Sequence, residues 1–338
     1  MQTSNLPSIA LTLGDPAGIG AELIAKLIQK IQHEKDAHVV LVGDEWLWKE
    51  GQTLAHTAIE LPVVHSFEEA KQHTGVVFLP FDSIDASQVT KAQVNPECGR
   101  SVLKVLSFCL DAALKGEIEA ICFAPLNKNA MKLGGLTFDD ELHFFADYLG
   151  VDSYICEFNT LGDIWTSRIS SHIPLKDVSQ SVTVERIDAA TKLMYESLKT
   201  AGVESPRIAV AAFNPHGGDG GLCGREEVDI IIPAVESLNA QGYPIAGPFP
   251  ADTIFLKVRD GIYDAVVTMY HDQGQIAIKL LGFEKGVTVQ GGLPIPITTP
   301  AHGTAFDIAT QGTANVEATY QAFLIAKRMA NSVIQKQA

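Results

Sequence analysis

The organising segment of this sequence reads Asp264-Ala-Val-Val-Thr-Met-Tyr-His-Asp-Gln-Gly274. It begins as a short apolar run and ends in polar side chains and a glycine, which is the pattern of a buried strand. In open α/β sheets, ligands bind beyond the carboxyl ends of the strands. That position is occupied by His271 and Asp272, an imidazole of the metal-binding type beside a potential base. The segment therefore predicts an α/β fold with chemistry at a strand end.

Two earlier segments end in the same way. The run 165–171 leads into His172, and the run 207–213 leads to His216. Together with His271 these residues supply three imidazoles, which suit a catalytic divalent cation with an open fourth position. The same pattern also fits three unrelated surface histidines, so the residues alone leave both interpretations open.

Composition restricts the class of protein. The chain has 338 residues, enough for two α/β domains, and its 46% hydrophobic and 19% charged residues are typical of a globular protein. The formal net charge of −15 argues against a nucleic-acid or anionic-membrane partner, because either would require a basic surface. The net charge says little about an active site, where the local charges decide.

Cysteine usage and the N-terminal segment bear on location. The five cysteines form no CxxC pair, so we expect buried thiols in a reducing compartment. Residues 1–7 lack the basic and apolar regions of a signal peptide. No run of about 18 apolar residues occurs, as a membrane span would require. These features predict a cytoplasmic protein.

Strand-like and helical patterns alternate along the chain. Strands are predicted at 8–13, 38–43, 61–65, 76–79, 120–124, 154–157, 163–169, 208–212, 265–269 and 287–290. Helices are predicted at 21–32, after 44, at 96–114, 140–149, 184–201, 226–241, up to 281, 306–309 and 316–334. This alternation favours a mainly parallel sheet with helices on both faces. Because no long linker occurs, we expect two domains interleaved in sequence.

Three glycine-containing loops are candidates for ligand binding. Gly14-Asp-Pro-Ala-Gly-Ile-Gly20 precedes a predicted helix, so it is either an anion-binding loop or a simple strand-to-helix turn, and it does not match the G-x-G-x-x-G fingerprint. The segment 214–227 is dense in glycine, which favours close approach to a ligand. His302 and Gly303 precede the predicted helix 306–309, where a nucleotide could bind or Thr304 could simply cap the helix.

Four motifs together resemble the 4-hydroxythreonine-4-phosphate dehydrogenase (PdxA) family. They are Gly14-Asp-Pro-Ala-Gly-Ile-Gly20, Asn214-Pro-His216, Tyr270-His-Asp-Gln-Gly274 and His302-Gly-Thr-Ala-Phe-Asp-Ile-Ala309. The similarity runs over nearly the whole chain. The last motif also resembles the adenosine-binding turn of isocitrate and isopropylmalate dehydrogenases, whose two-domain α/β fold this family shares.

The resemblance implies a specific set of site residues and ligands. It implies a homodimer with the active site at the subunit interface, NAD as the hydride acceptor, and one divalent metal ion (Zn, Co, Mn or Mg). The metal ligands would be His172, His216 and His271. NAD would be bound by the turn that contains His302, Gly303, Thr304 and Asp307. The catalytic residues would be Asp252, Asp272 and Lys279, of which Lys279 would also bind substrate.

The resemblance also implies the division into domains. The nucleotide-side domain would comprise residues 1–125 plus 285–338, and the metal- and substrate-side domain would comprise residues 126–284. Both ranges are approximate.

The chain departs from the family at its substrate-binding positions. The Gly-His-Thr-Glu motif of the family is Asp140-Glu-Leu-His143 here, so its substrate-binding pair falls on Glu141 and Leu142. Thr288 stands where an asparagine is expected, and Ile297 where an arginine is expected. A phosphate dianion needs charge-assisted donors, so these changes favour an unphosphorylated or differently charged substrate.

The sequence therefore predicts an NAD- and metal-dependent dehydrogenase. It would oxidise a secondary alcohol of a hydroxy acid or diol, with loss of CO₂ where the product is a β-keto acid. One alternative is the reaction of the family itself, oxidation of 4-phosphohydroxy-threonine in pyridoxal phosphate biosynthesis. A second alternative is a non-catalytic protein that binds a metal or a sugar acid on the same scaffold.

Overall fold

The computed structural model describes residues 6–337. The prediction that residues 1–7 are no signal peptide falls almost entirely outside this range. Two compact units account for the described chain. Unit 1 contains the residues up to Asp152, Val287–Val289 and the residues from Leu293 onward, and unit 2 contains Ser153–Gly286 and Gln290–Gly292.

The boundary between the units differs from the prediction. Residues 126–152, which the sequence placed in the second domain, belong to unit 1. The reason is hydrophobic packing: Met131, Leu136 and Phe145 are buried in the same core cluster as Leu106. A short apolar segment is assigned to a unit by the core it packs into, which its own sequence does not specify.

Unit 1 is a mainly parallel α/β unit. Its strands are β1 (Ser8–Thr12), β2 (His38–Gly43), β3 (Gly75–Pro80), β4 (Ala120–Phe123), the central part of β10 (Gly286–Gly291), and β11 (Ile297–Pro300). Their order is β3-β2-β1-β4-β11-β10, and the β10–β11 pair alone is antiparallel among them. Its helices are α1 (Gly20–Ile31), α2 (Glu45–Leu54), α3 (Phe67–Ala70), α4 (Pro96–Leu114), α5 (Lys128–Gly134), α6 (Glu141–Tyr148) and α11 (Glu317–Gln337).

Unit 2 is built in the same way. Its strands are β5 (Cys156–Leu161), β6 (Ile164–Arg168), β7 (Ile208–Ala211), β8 (Ile245–Phe249) and β9 (Ala265–Thr268). Their order is β5-β6-β9-β7-β8, with β5 antiparallel to β6 and the other neighbours parallel. Its helices are α7 (Val184–Thr200), α8 (Ile232–Ala240), α9 (Ala251–Arg259) and α10 (His271–Gly282). The predicted α/β fold with mainly parallel strands is confirmed.

Burial on both faces of the strands explains the parallel arrangement. Ala10 and Val40 pack into a core with α4, while their neighbours Ile9 and Leu11 are also completely buried. Strands covered on both faces read as continuous apolar runs, as these do. Helix α4 begins where its sequence predicts, because the side chain of Asn95 accepts a hydrogen bond from the Glu97 N–H.

Two predicted elements are wrong. Residues 61–65 form an isolated bridge at Val63 rather than a strand. Residues 306–309 form turns rather than a helix. Ala305 (φ 43°) and Thr310 (φ 74°) flank this segment in the left-handed region, and a right-handed helix cannot propagate through such residues.

Four of the five cysteines are buried, as expected. Burial raises the pKa of Cys98, Cys109 and Cys122 to about 12, so these thiols stay protonated and inert. The expectation is wrong for Cys223, which is exposed because it lies in the glycine-rich segment after β7. Across residues 6–337, no helix is both long enough and apolar enough to cross a membrane.

Candidate active site

Three neighbouring strands of unit 2 end at one edge of the sheet. Strands β6, β9 and β7 are adjacent and parallel, so their carboxyl ends point the same way. His172 and His216 lie in the segments that follow β6 and β7, and His271 is the first residue of α10, which follows β9. Sheet topology therefore brings the three predicted ligands to the same edge, where α/β proteins bind ligands.

The rings of His172 and His271 lie near each other. Their ring centroids lie 5.8 Å apart, and the rings are tilted by 48°. His271 Nδ1 lies 2.7 Å from the Asp272 carboxylate and donates a hydrogen bond to it. This contact leaves His271 Nε2 available for a further ligand, which is the usual arrangement of a metal-binding imidazole.

A chain of hydrogen bonds connects the ends of the three strands. Ser170 Oγ donates to the Met269 carbonyl (2.7 Å), and the Met269 N–H donates to Gln273 Oε1 (2.9 Å). Gln273 Nε2 in turn donates to the Ala212 carbonyl (2.9 Å). These hydrogen bonds hold the ends of the three strands together, close to the histidines. Nothing in the sequence indicated them.

A buried arginine holds the segment before His172. The Arg168 side chain is 5% exposed, and its guanidinium donates to Ser171 Oγ (2.9 Å), Asn159 Oδ1 (2.7 Å) and Glu157 Oε2 (2.9 Å). A guanidinium with three partners is rigid, so the loop that carries His172 starts from a fixed point.

The donor set fits a divalent cation by its chemistry. Imidazole nitrogens suit Zn²⁺, Co²⁺ and Mn²⁺, and His271 has the carboxylate partner that such ligands require. Within residues 6–337, no three His, Cys, Asp or Glu side chains lie close enough together to hold a metal ion.

The predicted acidic and basic groups lie on two helices of unit 2. Asp252 is exposed in the first turn of α9. Asp272 is exposed in the first turn of α10, and Lys279 is exposed in its last turn. Of these, Asp272 contacts a predicted metal ligand directly.

In unit 1, the glycine loop and the predicted cofactor turn pack together. The Ile19 N–H donates to the Thr304 carbonyl (3.2 Å), and a Cβ on Gly18 would lie 2.8 Å from the Thr304 Cβ. Gly14 has φ 72°, as a strand-to-helix turn requires.

Burial raises the pKa of Asp15 in this loop to about 6, against the opposing effects of the Ala17 N–H and Lys91.

The predicted cofactor turn is not followed directly by a helix, because residues 306–310 form turns. His302 is half-buried, Gly303 and Asp307 are exposed, and Thr304 is buried. The interpretation of Thr304 as a helix N-cap is wrong, because turns follow where the helix was expected. An anion held here would depend on the N–H groups of the turn and not on a helix dipole.

The predicted substrate-binding residues of unit 1 are largely buried. Glu141, in the first turn of α6, forms an ion pair with Lys128 (3.3 Å). Leu142 is 3% exposed, and Thr288 on β10 is 9% exposed. Lys128, the first residue of α5, was not among the predicted site residues.

Comparisons with known proteins agree on one family. The family model for "Pyridoxal phosphate biosynthetic protein PdxA" matches residues 35–326. A Pseudomonas aeruginosa protein provisionally named "4-hydroxythreonine-4-phosphate dehydrogenase 2" is 48% identical, over 97% of this chain and 98% of that protein. The "D-threonate 4-phosphate dehydrogenase" of Salmonella typhimurium is 35% identical, over 96% and 99%. The crystal structure of a 4-hydroxythreonine-4-phosphate dehydrogenase from Klebsiella pneumoniae has a TM-score of 0.84 at 33% identity, over 97% and 99%.

Proposed function

The chain belongs to the family of the pyridoxal phosphate biosynthetic protein PdxA, and we propose that it oxidises a secondary alcohol of a hydroxy acid with NAD and a divalent metal ion. It is a dehydrogenase acting on a CH–OH group, as its relatives are. One observation supports the metal-dependent chemistry most directly. Three adjacent parallel strands end beside histidines, and the rings of His172 and His271 lie 5.8 Å apart.

Unit 2 would bind the metal ion and the reacting end of the substrate. A divalent cation held by His172, His216 and His271 would polarise the substrate hydroxyl and lower its pKa. Asp252 or Asp272 would accept the hydroxyl proton, directly or through a water molecule. Lys279 would pair with an anionic group of the substrate. Where the product is a β-keto acid, loss of CO₂ would follow.

Unit 1 would bind the dinucleotide. The turn formed by His302, Gly303, Thr304 and Asp307 would hold NAD, whose nicotinamide accepts the hydride. The glycine loop supports this turn through the contact of Gly18 with Thr304. Glu141, Leu142 and Thr288 would contribute to substrate binding.

A phosphorylated substrate is the second candidate. The relatives are named as dehydrogenases of 4-hydroxythreonine-4-phosphate and D-threonate 4-phosphate. Glu141 would repel a phosphate group if it were an isolated carboxylate. Its ion pair with Lys128 neutralises this charge, so Glu141 alone does not exclude such a substrate.

We also propose a homodimer with the active site at the subunit interface. Helix α10, which begins at His271, carries three large exposed apolar side chains, Ile276 (58%), Leu280 (84%) and Leu281 (38%). Exposed apolar side chains grouped next to a site are typical of a protein interface. A second chain placed there would lie beside a metal ligand.

A substrate screen tests the proposed function. Metal-replete enzyme is given NAD and a panel of hydroxy acids, each with and without a phosphate group, and NADH absorbance is followed. We expect turnover with at least one hydroxy acid and loss of turnover in Lys279→Ala. If no compound of the panel reduces NAD while the protein still binds metal, the proposal is wrong, and a non-catalytic binding protein becomes the better explanation.

A further inference from the structure

We propose that Glu227 is a positioning residue that holds the segment carrying His216 in the conformation that presents its imidazole. The proposal rests on the function proposed above, because it takes His216 to be a metal ligand. Glu227 lies outside the set of residues for which the sequence predicted a role.

The carboxylate of Glu227 is buried and receives three hydrogen bonds from the segment after β7. Glu227 is 1% exposed. Its Oε1 accepts from the backbone N–H groups of Phe213 (2.8 Å) and Asn214 (2.7 Å). Its Oε2 accepts from the side-chain amide of Asn214 (2.9 Å). Hydrogen bonds to an ionised acceptor are among the strongest in proteins, so these contacts fix the backbone two residues before His216.

The backbone that follows has an unusual conformation. The five residues from His216 to Gly220 have φ values of 58°, 67°, 78°, 45° and 64°, all in the left-handed region. His216 and Asp219 are not glycine, so each adopts this conformation at an energetic cost. Such strain persists only where the surroundings enforce it, and it is common at functional sites.

Glu227 lies directly against this left-handed segment. A Cβ added to Gly218 would lie 2.5 Å from Glu227 Oε2, so the main chain passes closely over the carboxylate. Glu227 therefore contacts the segment both before and after His216. This position is what is needed to set the direction of the imidazole, and it also explains why Gly218 cannot carry a side chain.

The chain supplies a matched control in the preceding residue. Glu226 Oε2 also accepts a hydrogen bond from the Asn214 side-chain amide (2.6 Å). The two backbone N–H groups, however, donate to Glu227. Glu226→Gln and Glu227→Gln each remove one negative charge from the same region. Only Glu227→Gln replaces the carboxylate that accepts hydrogen bonds from the two backbone N–H groups.

The test compares wild type, Glu227→Gln, Glu227→Asp, Glu226→Gln and His216→Ala as full-length proteins. Calorimetry measures Mn²⁺ and Zn²⁺ affinity, hydrogen–deuterium exchange measures protection of residues 213–221, and circular dichroism verifies folding. We expect Glu227→Gln to weaken metal binding about 10–100-fold, as loss of a partner that orients a ligand does. Faster exchange should be confined to 213–221, and Glu226→Gln should match wild type. Glu227→Asp, which keeps the charge on a shorter side chain, should fall between them.

Three outcomes overturn the proposal. The first is unchanged exchange at 213–221 in folded Glu227→Gln. The second is full metal affinity in Glu227→Gln while His216→Ala has lost it, which contradicts the role of Glu227 but leaves His216 as a ligand. The third is full metal affinity in His216→Ala, which contradicts the metal assignment itself and the role of Glu227 with it. If Glu227→Gln does not fold, the same criteria apply to Glu227→Asp.

Discussion

The ring centroids of His172 and His271 lie 5.8 Å apart, although a long stretch of chain separates the two residues. They meet because β6 and β9 are parallel neighbours in the sheet. The loops that follow these strands start from positions fixed by the Ser170 to Met269 hydrogen bond. This pair is the core of the proposed metal site.

Removal of either imidazole should abolish metal retention. We expect His172→Ala and His271→Ala to lose at least about 100-fold in Mn²⁺ or Zn²⁺ affinity, more than a supporting partner costs, because each removes a ligand atom. Calorimetric titration of metal-free protein measures this. His33→Ala removes an exposed histidine of unit 1 and should bind metal like wild type. Equal affinity in all three variants would contradict the assignment.

Asp272 has two proposed roles that substitution can separate. In Asp272→Asn the amide oxygen can still accept a hydrogen bond from His271 Nδ1, but the side chain can no longer accept a proton. If Asp272 is the base, kcat should fall about 100-fold or more in Asp272→Asn while metal affinity is kept. Asp272→Ala should lose both. Unchanged kcat in Asp272→Asn would assign proton transfer to Asp252 instead.

Asp15 should make unit 1 less stable as pH rises. Burial raises the pKa of its carboxyl from 3.8 to about 6, so between these values the folded state binds the proton that the unfolded state has lost. The free energy of unfolding should therefore fall as pH rises from about 4 to about 6, by up to about 3 kcal/mol for this group.

The Asp15→Asn variant isolates this contribution. Its amide oxygen can still accept from the Ala17 N–H, and it does not titrate. Urea unfolding should give similar stabilities for wild type and Asp15→Asn at pH 4, and a more stable variant at pH 8. A constant difference between the two proteins across this range would show that Asp15 has an ordinary pKa.

A methyl group on Gly18 should disturb the proposed cofactor turn. In Gly18→Ala the new Cβ would lie 2.8 Å from the Thr304 Cβ, so the turn must shift. We expect a loss of about 1–3 kcal/mol in stability, as overpacking causes, and a higher KM for NAD with little change in metal affinity. Adding Thr304→Gly removes the clashing carbon and should restore stability in part. An unaltered KM for NAD in Gly18→Ala would separate this turn from cofactor binding.

Much of the fold could be predicted from local pattern. The apolar runs at 8–13 and 265–269 and the helix at 96–114 agree with β1, β9 and α4 to within one or two residues. These elements are strongly periodic or continuously apolar, so local sequence suffices. The predicted helix at 306–309 failed because two flanking residues adopt left-handed backbone that composition does not reveal.

The residue types of the candidate site could be predicted from the sequence, but the residues that hold them in place could not. The three histidines stand out because each follows a strand. Arg168, Glu227 and Lys128 were missed, since the partner of each lies on another element of the structure, at a spacing that no sequence motif indicates. Those partners exist only once strands and loops have been placed.

The sequence by itself determined the α/β class, the strand ends that carry histidine and the family, because these depend on local periodicity and on short motifs. The tertiary structure alone decided which strands are neighbours, that residues 126–152 belong to unit 1, and that Glu227 lies under the His216 segment. The physical reason is that burial and hydrogen bonding between distant residues are settled by the packing of the whole chain. No local stretch contains that information.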